Sequence, residues 1–219
     1  MKVIIVSIMM LGVVVFSSPV YAEPERYDFL KLDPKEQPIP FVPVFAVVRP
    51  DAPDVEMTQQ EAHKEDEAKR KAIIALLRQR NRRLDEAKAR DIADFIMQAC
   101  EQYNQEPFII AALMVNESSA RPDVVSRGGD YGLMHVRWRV HQRRIRERYP
   151  HITRAQDMLN PKYNVLVGTE IFSTYRKTAN DDISGALRYY TGGSTRMAGR
   201  VFADVSRPED LYMNYLQNL

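Results

Sequence analysis

One cysteine, nine glycines and, beyond the first residues, no stretch apolar enough to span a bilayer: these scarcities bound this chain of 219 residues. With Cys100 alone, an intrachain disulfide is excluded. Cys100 falls in an amphipathic helical pattern, which reads as a small core residue; a nucleophile is the other reading. Scarce glycine, together with the near absence of apolar/polar alternation, argues against a fold built on sheets. Neither sign of charge dominates. Without residues 1–22 the chain carries 30 basic against 29 acidic side chains, a balance that speaks against nucleic acid as a partner. His135 and His141 have no credible companion ligands in the sequence, so no metal or other cofactor is expected.

What is present begins with an export signal. Lys2 supplies a positive start, residues 3–16 are apolar apart from Ser7 and Gly12, and Val20-Tyr21-Ala22 ends in the small residue a signal peptidase accepts. An uncleaved anchor, the competing reading, needs about 20 apolar residues. Cleavage after Ala22 leaves no membrane span and a periplasmic or secreted protein. Residues 23–55 carry Pro24, Pro34, Pro38, Pro40, Pro43, Pro50 and Pro53, a density that prevents helix and central strand and implies an extended spacer. An apolar patch at 39–48 within it would pack on the folded domain or on a partner.

Residues 56–86 read as a charged lead-in helix with acids and bases three or four apart. Ile73, Ile74, Leu76 and Leu77, with Leu84 beyond, form a narrow apolar stripe, for a coiled contact or for lying against the following domain. That domain, 87–219, should be compact and mainly α. Ile92, Phe95, Ile96, Ala99 and Tyr103 recur at helical spacing. Further helical patterns occupy 138–148, 163–178 and 183–190, and another starts near 209. Residues 121–131, with Pro122, Gly128 and Gly129, should be irregular.

The chemistry centres on Glu117. It ends the run Phe108-Ile109-Ile110-Ala111-Ala112-Leu113-Met114-Val115, a buried helix introduced by Pro107. Desolvation favours the neutral form of a carboxyl, and a carboxyl that keeps its proton near neutral pH is what a general acid requires. A glutamate at a helix end that simply faces water is the plainer alternative. Glu117-Ser118 is followed by Pro122, Ser126, Gly129 and Gly132-Leu133-Met134-His135. At these offsets the chain resembles the soluble, Slt-type lytic transglycosylases, which have a goose-lysozyme-like fold. Leu159-Asn160-Pro161-Lys162-Tyr163-Asn164-Val165 looks like that family's entry into its next helix. Ala186-Leu187-Arg188-Tyr189-Tyr190-Thr191-Gly192-Gly193 resembles its last motif. The likeness spans roughly residues 87–199. His135 stands where the family has glutamine, and Thr191 where it has asparagine.

The resemblance implies an α+β, lysozyme-like catalytic domain that cleaves the MurNAc–GlcNAc β-1,4 bond of peptidoglycan and closes a 1,6-anhydro ring. Most glycosidases use two carboxylates about 5 to 10 Å apart. Asp123 and Asp130 are near in sequence but match no family carboxylate. In the implied route Glu117 protonates the glycosidic oxygen, the substrate's acetamido group stabilises C1, and Glu117 then removes the C6 hydroxyl proton. Tyr190 would orient Glu117; its alternative is a core tyrosine paired with Tyr189. Ser126 would hold the acetamido group. Gly132, Leu133 and Met134 would form the cleft wall, and His135 and Thr191 would offer hydrogen bonds to substrate.

Arg137, Arg139, Arg143, Arg144, Arg146 and Arg148 would attract peptide carboxylates from a cleft rim or form a solvated helix face. A lysozyme-type hydrolase and a non-catalytic wall-binding scaffold stay open. So does an envelope-spanning assembly as partner of the N-terminal segment.

Overall fold

The computed structural model describes residues 54–218, with side chains from residue 59 onward. The expected signal, 1–22, and the spacer, 23–55, lie outside the described residues but for residues 54 and 55. In chain order the elements are α1 (Asp54–Arg80), α2 (Glu86–Tyr103), α3 (Pro107–Ser118), β1 (Asp130–Tyr131), β2 (Val136–Arg137) and α4 (Trp138–Arg148). A short 3-10 helix (Ala155–Leu159), α5 (Pro161–Thr178), α6 (Ile183–Tyr190) and α7 (Thr195–Gln217) complete it. The fold is mainly α, as expected.

α3 lies at the centre because its surface leaves no polar side until its last turn. Residues 108–115 are each no more than 6 % exposed, and a helix apolar all round must be enclosed. Pro107 opens it at a position where a missing N–H costs nothing. α1, α2 and α7 pack around it, and α5 continues the core between α2 and α6. In α1, Ala68, Ala72, Ile73, Leu76 and Leu77 are all buried. That stripe packs on α7, α2 and α3, so it is spent inside this domain and not offered as a coiled contact.

Two local expectations change. The C-terminal helix starts at Thr195 and runs through Pro208. Proline removes one helical hydrogen bond, but Ala198, Val201, Val205 and Pro208 form a buried face against α1 and α3, and this packing overrides the local penalty. The segment 121–131, read as irregular, ends in strand β1, which pairs antiparallel with β2 through Asp130↔Arg137 and Tyr131↔Val136. Strands of two residues are too short for periodicity to register.

The arginines of α4 are not a single free face. Arg144 and Arg148 reach the buried Glu170 at 2.8 and 3.0 Å, whose other oxygen accepts from the Tyr149 hydroxyl at 2.6 Å. Arg146 stacks over Trp138 and donates to the Thr153 carbonyl. Arg143 pairs with Glu147, and Arg137 with Asp130. A buried carboxylate needs such partners.

His141, on the buried face of α4, is pushed down to about 4, first by burial and then by Arg144 and Arg137. The unfolded imidazole takes up a proton below 6.5, which the folded one refuses until pH approaches 4. Stability should therefore fall as pH falls through this window, by about 2 kcal/mol at pH 5 relative to pH 7. Urea midpoints at the two pH values check it. His141→Phe should remove most of the difference, and an unchanged difference would assign it to other groups.

Candidate active site

Glu117 owes its place to how α3 stops. Ser119 and Ala120 both adopt left-handed backbone, with φ of 56° and 55°. Two consecutive non-glycine residues there are costly and persist only when surroundings impose them. Here Ala120 is fully buried and its carbonyl accepts from the Asn81 side chain at 2.9 Å. The Glu117 side chain in that last turn is 13 % exposed, which answers the alternative of a glutamate facing open water.

The β1–β2 turn meets it. Gly132 has φ +70°, and a Cβ there would stand 2.5 Å from the Met158 carbonyl, so glycine is required. His135 also has positive φ, 47°, and this turns its imidazole toward α3. Nδ1 lies 3.4 Å from Glu117 Oε2, while Nε2 is buried without a hydrogen-bond partner. A buried Nε2 with no acceptor disfavours a proton on it. The arrangement suits a hydrogen on Nδ1, the nitrogen that faces the carboxylate.

Residue 134 anchors this turn from both sides. Its N–H donates to Asn164 Oδ1 at 2.7 Å, and its carbonyl accepts from the Tyr190 hydroxyl at 2.8 Å. Asn164, fully buried on α5, also donates to the carbonyls of Tyr131 and Met158 at 2.7 and 2.8 Å. Gly168, one turn on, lets the Met134 side chain approach; a Cβ there would lie 2.7 Å from Met134 Cβ. Asn164 stood inside the quoted 159–165 segment with no role given, and Gly168 carried none. A polar side chain facing inward in α5 was the only available signal.

The expected site residues separate accordingly. Burial first and the Glu117 charge second hold the Tyr190 phenol well above the usual value. Its one proton goes to the Met134 carbonyl, one residue before His135. Its ring contacts are Phe172 and Tyr175, and Tyr189 packs on Tyr175 instead. Leu133 and Met134 are fully buried and offer no surface to a sugar. The Ser126 hydroxyl donates to Asp130 at 2.7 Å and accepts from two loop N–H groups, so it closes its own loop. Thr191 Oγ1 donates to the Leu187 carbonyl at 2.8 Å and finishes α6.

Partial burial raises the Asp130 carboxyl, but hydrogen bonds from Arg137 and Ser126 outweigh this and hold it below the usual range. It stays ionised. Asp123 is exposed. Among the described residues, no three His, Cys, Asp or Glu side chains converge as metal ligands.

A family model described as the transglycosylase SLT domain matches residues 94–210, more than half of the chain. The chain belongs to that family. No curated protein matches it. An SLT domain of lysozyme-like fold implies glycan-cleaving transglycosylase activity on peptidoglycan, in the periplasm or outside the cell. The SLT match begins within α2, so α1 lies ahead of it in sequence while packing on helices inside it. No described helix is long and apolar enough to cross a membrane.

Proposed function

We propose that this SLT-domain protein is an exported lytic transglycosylase that cuts the MurNAc–GlcNAc β-1,4 bond with Glu117 as its one acid and base. The observation that carries this reading is a single shielded carboxyl, Glu117, faced by a nitrogen at 3.4 Å. The other carboxylate of the cluster, Asp130, is tied on both oxygens to Ser126 and Arg137. An ionised, doubly bonded Asp130 is a poor nucleophile, which speaks against a two-carboxylate route.

In the first step the Glu117 proton passes to the glycosidic oxygen as the C1–O bond breaks, with the substrate's acetamido oxygen supporting C1. In the second, Glu117 takes the C6 hydroxyl proton while that oxygen bonds to C1. The carboxyl ends as it began, and no water is consumed. His135, with its proton on Nδ1, steadies the carboxylate between the steps. Tyr190 and Asn164 hold residue 134 and thereby set where His135 stands. Gly132 gives the turn its shape. Ser126 and Thr191, engaged locally, would contact substrate only by exchanging those bonds. Residues 1–22 would direct export.

Mass spectrometry of muropeptides released from purified sacculi is the test. Anhydro ends are expected. Products heavier by one water, with reducing ends, would make the protein a lysozyme-type hydrolase. No release at all would leave a wall-binding scaffold.

A further inference from the structure

Three arginines meet in a groove that reaches Asn116, the residue before Glu117, and share a single carboxylate. Arg200, Ala203, Asp204 and Arg207 share one face of α7, at spacings of three and four residues. With Arg80 from the last turn of α1 and Asn116 from α3 they line a groove of about 340 Å³. Asp204 is its only acid. That carboxylate accepts from Arg80 at 2.7 Å and from Asn116 at 2.9 Å, both on Oδ2. Arg200 and Arg207 make no ion pair with any described residue, and both are exposed.

The contrast with α4 is informative. There Arg144 and Arg148 are bound to Glu170, and Arg137, just ahead of the helix in β2, to Asp130. In the groove three guanidinium groups face one carboxylate, an excess of two positive charges in a concavity, where field lines concentrate. Guanidinium groups hold carboxylates through paired N–H donors, which a point charge cannot do. Asn116 precedes Glu117 directly, so groove and acid share one turn of α3. They diverge by about 100° around its axis, so a polymer crossing Glu117 would direct a side branch, not its backbone, toward Arg200 and Arg207.

We infer that this groove is a subsite for the carboxylate-bearing stem peptide of peptidoglycan. The inference rests on the peptidoglycan reading above. It gives that reading a preference for glycan that still carries its stems.

The test is binding of the full chain to immobilised glycan strands that carry their stems and to the same strands stripped by an amidase, for the wild-type groove and for a double variant, Arg200→Ala with Arg207→Ala, both in a Glu117→Gln background that leaves the glycan uncut. Both side chains are exposed and outside the acid-base machinery, so folding, checked by melting temperature, should hold. The wild-type groove should bind stem-bearing strands more tightly than stripped ones, and the double variant should lose about tenfold on stem-bearing strands only. Equal losses on both materials, or no loss on either, overturn the groove. Affinity is read without cleavage, so the two readings can fail separately. Anhydro products without stem-dependent affinity would sink the groove alone. Stem-dependent affinity without any cleavage by wild type would sink the proposed reaction alone.

Discussion

Glu117→Gln is expected to lower glycan cleavage by about 10²–10⁴-fold, the usual worth of a positioned acid or base. Glutamine has the same shape and fits the same last turn of α3, so melting temperature should hardly change. What is lost is the transferable proton in the first step and the acceptor in the second. The amide keeps an oxygen-sized group facing His135 Nδ1, which lies 3.4 Å from the native carboxylate. Substrate binding should therefore survive, and the loss should fall on kcat more than on KM. Release of soluble muropeptides from sacculi by wild type and variant measures it. Undiminished release would take Glu117 out of the chemistry.

Asn164→Ala carries the largest expected cost in stability, about 3–5 kcal/mol. Its side chain satisfies the Met134 N–H and the carbonyls of Tyr131 and Met158. At a fully buried position water cannot readily replace all three, and alanine leaves a void besides. Denaturant unfolding reads the loss directly, and the melting temperature should fall on the order of 10 °C. Activity of the remaining folded protein should fall too, because the turn bearing His135 loses its anchor on α5. A shift below about 1 kcal/mol would mean that Gly132 and Tyr190 hold the turn unaided.

The helices were legible because their signals are local. Phe108 to Val115, without a polar interruption, specify a helix enclosed on all sides, and α3 is enclosed. The stripe of Ile73, Leu76 and Leu77 was equally visible, but its packing on α7, α2 and α3 was not, since a periodic face does not name its partner. Glu117, Gly132 and Tyr190 were singled out by resemblance; the structure adds His135 Nδ1 at 3.4 Å from Glu117 and the Tyr190 hydroxyl on the Met134 carbonyl. Their connections were not legible. Tyr190 looked like a direct partner of Glu117, and its proton goes instead to a carbonyl 56 residues away in the chain. Arg144 and Arg148 looked like part of a solvated face or a rim, and Glu170 on α5 claims both.

The sequence by itself determined a mainly helical domain, a glutamate at the end of its most apolar helix and a glycine-bearing turn after it. These follow from hydrophobic period, proline and glycine, which act over a few residues. Only the tertiary structure decided that His135 faces Glu117, that Asn164 anchors the turn, that Leu133 and Met134 are hidden, and that Arg200 and Arg207 stand unneutralised beside Arg80. Each of those depends on which polar group finds a partner across the fold. A buried donor or acceptor takes whichever partner packing brings within about 3 Å, and no local pattern encodes that distance.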